Sequence, residues 1–274
     1  MTASSASKFS ASKPMHALAP DEVHLWLCPL TDFPQPRQLD VLRELLQPEE
    51  WQRCQRLSGR QRDQAVVVRA LLRTVLSSYA VESPRDWRFG RGRHGKPFLH
   101  SPSRSLSFNL SHSGDWIACT VAAGSAVGVD VQYCDEARNF LRLARRYFRA
   151  EELQALEALE QAGQAGRFYD LWTLKEAWTK ARGDALPTAL GAVGFDLAPA
   201  GHIAVSVAAD PLPSVSWLLD LAPDYRLALC AEQQAGAAPR LSCFRVDPGQ
   251  PGVPLQLAVK ACSGPLSVAP SGEP

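Results

Sequence analysis

The chain has 274 residues and a mass of 29.9 kDa, with 46% hydrophobic and 21% charged residues. That balance fills a sizeable core and excludes wholesale disorder. The net charge of +1 and the pI of about 7.6 lie far from the strongly basic balance of a nucleic-acid-binding domain. No apolar run approaches the ~20 residues of a membrane span, so neither nucleic acid nor membrane is expected as a partner.

Residues 1–20 begin Ser-rich, without the apolar stretch of a secretory signal, and are expected to form a flexible tail. Residues 23–30 read as a strand. A helix opens at Pro48, with Glu49 and Glu50 in its first turn, and runs to about Leu57. A second helix is expected over residues 62–80. Arg62, Arg69 and Arg73 fall at i, i+7 and i+11 in it, within about 40° of one another. Residues 98–133 look mostly extended, with Gly124-Ser125 as a turn. In the run 126–132, Val127, Val129 and Val131 share one face, and Gly128, Asp130 and Gln132 the other. Residues 140–147 and 151–161 are helical by pattern, 162–166 break the pattern, and a long helix over 167–182 closes at Gly183. Strand-like runs follow at 193–197, 202–208, 215–221, 225–231 and 241–246. From Asp247 on, Pro, Gly and Ser predict a flexible tail.

The domain reading is therefore an N-terminal half, 21–126, and a C-terminal half, 127–246, between tails 1–20 and 247–274. An internal echo supports two similar halves. Residues 115–122 resemble residues 224–231, and each follows a short apolar run at the same offset. Seven cysteines without a C-x-x-C pair argue for reduced thiols, a cytoplasmic location and no zinc site.

Charge is unevenly spread. Residues 1–127 hold 16 Lys and Arg against 11 Asp and Glu, a net of +5, and the remainder is −4. Eleven of those basic residues fall in the windows 53–73 and 85–96. Such clusters suit a polyanionic ligand, and equally a solvated surface.

Three segments carry candidate chemistry. In the first, Phe108 to Gly114, a strand ends in Ser-His-Ser-Gly, where backbone N–H groups and an imidazole could meet an anion at a turn. In the second, Asp130 stands on an apolar strand and needs a metal, a basic side chain or a backbone donor. Gly128, on the same face, leaves room for a close ligand. In the third, Leu171, Leu174, Trp178 and Ala181 form a packing stripe, while Trp172, Glu176 and Lys180 recur at i+4 on a neighbouring face.

Together these segments resemble the 4′-phosphopantetheinyl transferases of the surfactin-synthetase-activating (Sfp-like) type. That family shows G-K-P, F-N-x-S-H-S, G-[IV]-D-[IV]-E and W-x-x-K-E-[AS]-x-x-K-x-x-G elements in this order. They read here as Gly95-Lys96-Pro97, Phe108 to Ser113, Gly128 to Gln132, and Trp172 to Gly183. The resemblance implies an α+β fold, a pseudo-dimer of two similar α/β halves with coenzyme A in the cleft between them.

It also implies an activity. The 4′-phosphopantetheine group of coenzyme A moves to a serine hydroxyl of an acyl or peptidyl carrier protein, and 3′,5′-ADP leaves. The implied metal is Mg2+, with Mn2+ as a substitute, held by Asp130 and Glu176. Glu176 is the implied general base and Lys180 the neutraliser of charge on the pyrophosphate. Lys96, Ser111 and His112 match coenzyme A contacts, with Arg53, Arg69 and Arg91 in a looser alignment. Gln132 replaces the family's second acid and is expected to ligate weakly or through water. A monomer is expected. The rival readings are a non-catalytic module that binds coenzyme A or a carrier protein, and a nucleic-acid binder using the Arg62, Arg69 and Arg73 face.

Overall fold

The computed structural model describes residues 15–30, 35–100, 105–135, 137–185, 189–198, 200–207, 213–234, 238–247 and 250–264. Among them are strands β1 (Glu22–Pro29), β2 (Phe89–Arg91), β3 (Pro97–Leu99), β4 (Leu106–Ser113), β5 (Trp116–Ala123) and β6 (Val127–Tyr133). Later in the chain come β7 (Val193–Leu197), β8 (Ile203–Val207), β9 (Ser214–Leu219), β10 (Tyr225–Glu232), β11 (Arg240–Arg245), β12 (Val253–Leu255) and β13 (Val259–Cys262). The helices are α1 (Pro36–Glu44), α2 (Pro48–Cys54), α3 (Gly59–Ser77), α4 (Phe140–Tyr147), α5 (Ala150–Glu157) and α6 (Gln161–Arg182).

Two sheets form the centre. One has the order β12-β11-β1-β5-β4 and the other β13-β9-β10-β6. Side-chain alternation sorts each strand's residues into two layers. On β1, Trp26 and Cys28 face α1, α2 and α3, while Leu25 and Leu27 join Val129, Val131, Trp217 and Leu229 between the sheets. On β10, Ala228 and Cys230 turn to α6, where they meet Leu174, Ala177 and Trp178. The layers are thus helix, sheet, sheet, helix. β1 is apolar on both faces because both faces are covered, each large side chain contributing about 1.5–3 kcal/mol.

Several expectations are corrected. Helix α6 starts at Gln161 and runs without a break through Gly163 and Gly166 for 22 residues. Its packing outweighs the cost of two helical glycines, about 1 kcal/mol each. Its end is as expected: Gly183 takes φ 71°, and its N–H reaches the carbonyls of Thr179 and Lys180. The C-terminal region is not a tail throughout, since β12 extends the first sheet and β13 the second. β11 lies parallel to β1, so the chain after residue 238 does not stay with the second half. At the other end, residues 1–14 lie outside the described residues, but the Met15 and His16 N–H groups donate to the Ser78 carbonyl. The tail reading for 247–274 is tested only to Gly264, the last described residue. Helix α1 and the β2–β3 hairpin were not anticipated as elements.

Candidate active site

β4 and β6 are edge strands of different sheets, and side chains join them. Val129 N–H donates to Asn109 Oδ1 at 2.9 Å, Val131 N–H to Ser111 Oγ at 3.3 Å, and Tyr133 N–H to Ser113 Oγ at 2.9 Å. Each rung spans 20 residues, so the strands run in the same direction. Short polar side chains at period 2 on β4 replace the backbone ladder that the gap between sheets forbids. The expected strand end is observed, with Ser111, His112 and Ser113 inside β4 and not in the turn itself, which begins at Gly114, with φ 54°.

Asp130 projects from β6 toward α6 and is fully buried. Its Oδ1 accepts from Ser111 Oγ at 2.8 Å and from Lys180 Nζ at 2.5 Å, and its Oδ2 from Gln132 Nε2 at 3.0 Å. Lys180 Nζ also donates to Ser111 Oγ at 3.2 Å and lies 3.5 Å from Glu176 Oε2. The helical i+4 spacing sets Glu176 and Lys180 one turn apart on the same face. Burial, reinforced by the Asp130 charge and opposed by Lys180, pushes Glu176 up to about 7. Burial alone would lower Lys180, but the carboxylates of Asp130 and Glu176 outweigh it and raise its pKa. The room beside Gly128 is taken by α6 itself: a Cβ there would collide with the Ala177 carbonyl oxygen and the Ala181 amide. That corrects the expectation of space for a ligand.

His112 alternates to the other side of β4 from Ser111 and is reached by solvent. Its surroundings lower its pKa, first by desolvation and then through the charges of Lys180 and Arg69. The imidazole and the two cations therefore border one region. Lys96 is used differently. Its ammonium donates to the carbonyls of Val127 at 3.0 Å and Ala181 at 2.8 Å, and burial pushes it down to about 8. It clamps β3 to the start of β6 and the end of α6. Arg91 is exposed on β2 opposite Pro97, and Arg53 is exposed on α2. Neither is among the partners of Asp130, Glu176 or Lys180. Arg73 is buried, ion-paired with Glu50 at 2.7 Å and bonded to the carbonyls of Pro84 and Trp87. Arg73 is therefore withdrawn from the expected three-arginine face, which leaves exposed Arg62 and half-buried Arg69.

Lys175 was missed by sequence reasoning. It is fully buried, pairs with Glu152 at 2.8 Å and donates to the carbonyls of Leu190 and Val193. Glu152 in turn accepts from the Phe195 and Arg149 N–H groups. This network fixes α6 against α5 and β7. Local spacing does not separate the roles of adjacent Lys175 and Glu176; packing does.

Asp130 and Glu176 offer hard oxygen donors, with the Gln132 amide beside them. That set suits Mg2+, which takes few protein carboxylates and completes its shell with phosphate oxygens and water. A carboxyl raised to about 7, first by burial and then by a second carboxylate beside it, also fits a site that receives a cation.

The family described as the 4′-phosphopantetheinyl transferase superfamily matches residues 126–230, and 4′-phosphopantetheinyl transferase, N-terminal, matches 33–125. The chain is 33% identical to the 4′-phosphopantetheinyl transferase HetI of Nostoc sp., over 77% of this chain and 87% of that one. It is 27% identical to the 4′-phosphopantetheinyl transferase Sfp of Bacillus subtilis, over 68% of this chain and 82% of that one. A Thermotoga maritima holo-[acyl-carrier-protein] synthase gives a TM-score of 0.34 at 20% identity, over 40% of this chain and 63% of that one. With both halves matched and a relative at this level over most of its length, the chain belongs to the 4′-phosphopantetheinyl transferase superfamily.

Proposed function

We propose that this protein transfers the 4′-phosphopantetheine group of coenzyme A to a serine hydroxyl of an acyl or peptidyl carrier protein. The observation that carries the reading is the convergence of Asp130, Glu176 and Lys180 on the seam between the sheets. The two helix–sheet halves are read as a pseudo-dimer, with the equivalent hairpins β4–β5 and β9–β10 in support. The cleft between the halves is where coenzyme A would lie.

Glu176 takes the proton of the acceptor serine. Burial and the Asp130 charge raise the proton affinity of its carboxylate, which suits a general base. The serine oxygen forms a bond to the phosphorus that carries the pantetheine arm, and the bond from that phosphorus to 3′,5′-ADP breaks. Lys180 neutralises charge developing on the leaving phosphate. His112 and Arg69 hold phosphates at the rim, with Arg53 and Arg91 as further cations toward the nucleotide, while Lys96 braces the wall of the site through the Val127 and Ala181 carbonyls. Asp130 and Glu176 would hold Mg2+ or Mn2+, Gln132 contributing weakly or through water. The cation supplies positive charge at the pyrophosphate when bound.

The enzyme is read as a cytoplasmic monomer. The seven cysteines are free, which suits a reducing compartment. Among the described residues no helix is long and apolar enough to cross a membrane.

The test is mass spectrometry of apo carrier proteins from fatty acid and peptide synthesis, incubated with the protein, coenzyme A and Mg2+. A gain of one phosphopantetheinyl group, lost with Asp130→Ala and Glu176→Ala, is expected. Measurable coenzyme A binding with no transfer to any carrier would favour a non-catalytic module.

A further inference from the structure

Among the described residues, Ser111 is the only one of the seam whose hydroxyl also reaches the acidic site. Asn109 and Ser113 each make a rung to a β6 N–H, as Ser111 does. Ser111 additionally donates to Asp130 Oδ1 at 2.8 Å and accepts from Lys180 Nζ at 3.2 Å. A serine hydroxyl has one proton and two lone pairs. The Val131 N–H and the Lys180 ammonium occupy both lone pairs, so the proton can point only at Asp130. Gln132 Nε2 holds the other carboxylate oxygen. The Asp130 carboxylate is thus gripped at both ends, and its rotation is fixed by a rung that also sets the distance between the sheets. Nothing remains on the Ser111 hydroxyl with which to donate to a phosphate, whereas His112, one residue on, turns the opposite way on the strand.

We propose that Ser111 is a positioning residue: its hydroxyl orients Asp130 and Lys180 for the cation and the pyrophosphate, and coenzyme A does not bind to it. The catalytic part of this proposal rests on the transferase reading above. The orienting part does not, because it concerns only side chains of this chain.

Ser113 provides a built-in comparison, since Ser113→Ala removes a rung without touching Asp130. The first measurement needs neither metal nor substrate. Urea unfolding of the full-length protein would be followed for Ser111→Ala, Asp130→Asn and the double variant, and for the same cycle with Ser113→Ala. The Ser111 cycle is expected to be non-additive by about fivefold or more in the unfolding constant, and the Ser113 cycle additive. The second measurement is Mn2+ binding by calorimetry, alongside the kcat and KM for coenzyme A. Both single serine variants remove a rung and should lose thermal stability, Ser111→Ala more than Ser113→Ala because it also strips a partner from Asp130 and Lys180. Ser111→Ala alone should weaken Mn2+ binding and lower kcat, each about tenfold, with the KM for coenzyme A within twofold of the parent.

Additivity in both cycles would overturn the proposal. So would a Ser111→Ala variant that raises the KM for coenzyme A tenfold while leaving Mn2+ affinity intact, since that is the behaviour of a ligand contact. If the parent protein transfers nothing, the transferase reading falls, and the unfolding cycles still decide whether Ser111 orients Asp130.

Discussion

Gly128 brings strand β6 into direct contact with the backbone of Ala177 on α6. A Cβ at position 128 would overlap the Ala177 carbonyl oxygen, which has no side-chain freedom with which to move away. Two residues on, Asp130 meets Lys180 across the same narrow gap. Gly128→Ala is expected to push α6 outward, costing about 1–3 kcal/mol and carrying Glu176 and Lys180 away from Asp130. Thermal unfolding and the transfer rate should both fall. An unchanged melting temperature would show that the helix can yield at no cost.

Glu176 stabilises the reaction at the expense of the metal-free fold. Burial and the neighbouring Asp130 charge raise it from 4.5 to about 7. Between those two values the native protein keeps a proton that the unfolded chain has released, so stability falls as pH rises through that window. By pH 8 the loss amounts to up to about 3 kcal/mol. Glu176→Gln should therefore abolish transfer yet be more stable than the parent at pH 8 without metal, and show no such advantage at pH 4.5. Urea unfolding at the two pH values checks this. Equal stability at both would mean that the carboxyl ionises freely.

Gln132 donates to Asp130 where an acid could only repel it. Gln132→Glu adds a third carboxylate beside Asp130 and Glu176. The Mg2+ concentration for half-maximal rate should drop, and the metal-free protein should melt at a lower temperature. If the Mg2+ dependence stays where it is, residue 132 lies outside the cation's reach.

His24 makes the opposite pH demand at the far side of the first sheet. Its ring is buried against His16 and Phe244, and its Nδ1 meets the Tyr79 hydroxyl at 2.7 Å. The same hydroxyl accepts from Trp26 Nε1. Desolvation, opposed by Glu22 and aided by His16, lowers its pKa to about 4. As pH falls from 6.5 to 4 the unfolded chain takes up a proton that the native state refuses, and up to about 3 kcal/mol of stability is lost. The full contribution is present above pH 6.5. His24→Asn keeps an acceptor for Tyr79 but does not titrate, so its stability should fall less steeply across that range. Parallel slopes for variant and parent would place the acid sensitivity elsewhere.

The site was legible in sequence to the extent that periodicity carries it. Gly128, Asp130 and Gln132 alternate with three valines, and Glu176 and Lys180 lie one helical turn apart, so their faces follow from spacing alone. The seam was not legible. Asn109, Ser111 and Ser113 show their period of 2, but which strand they would bond depends on two sheet edges meeting, and no local pattern encodes that. For Lys96 and Arg73 the charge was visible and its use was not. Both reach inward to backbone carbonyls instead of outward to a ligand. α6 extends through two glycines because tertiary contacts override intrinsic preference. The short strands β12 and β13, of three and four residues, lack the length to display any alternation.

The parallel pairing of β11 with β1 sets an order on the protein's synthesis. β1 leaves the ribosome some 220 residues before its neighbour on one side exists. Until then one edge of β1 stays open, and such edges invite pairing with other chains. The first half can therefore collapse early around α3, but it cannot close its sheet while translation continues. A nascent chain stalled before residue 240 should be captured by chaperones that read exposed strands, and one released with β11 in place should not.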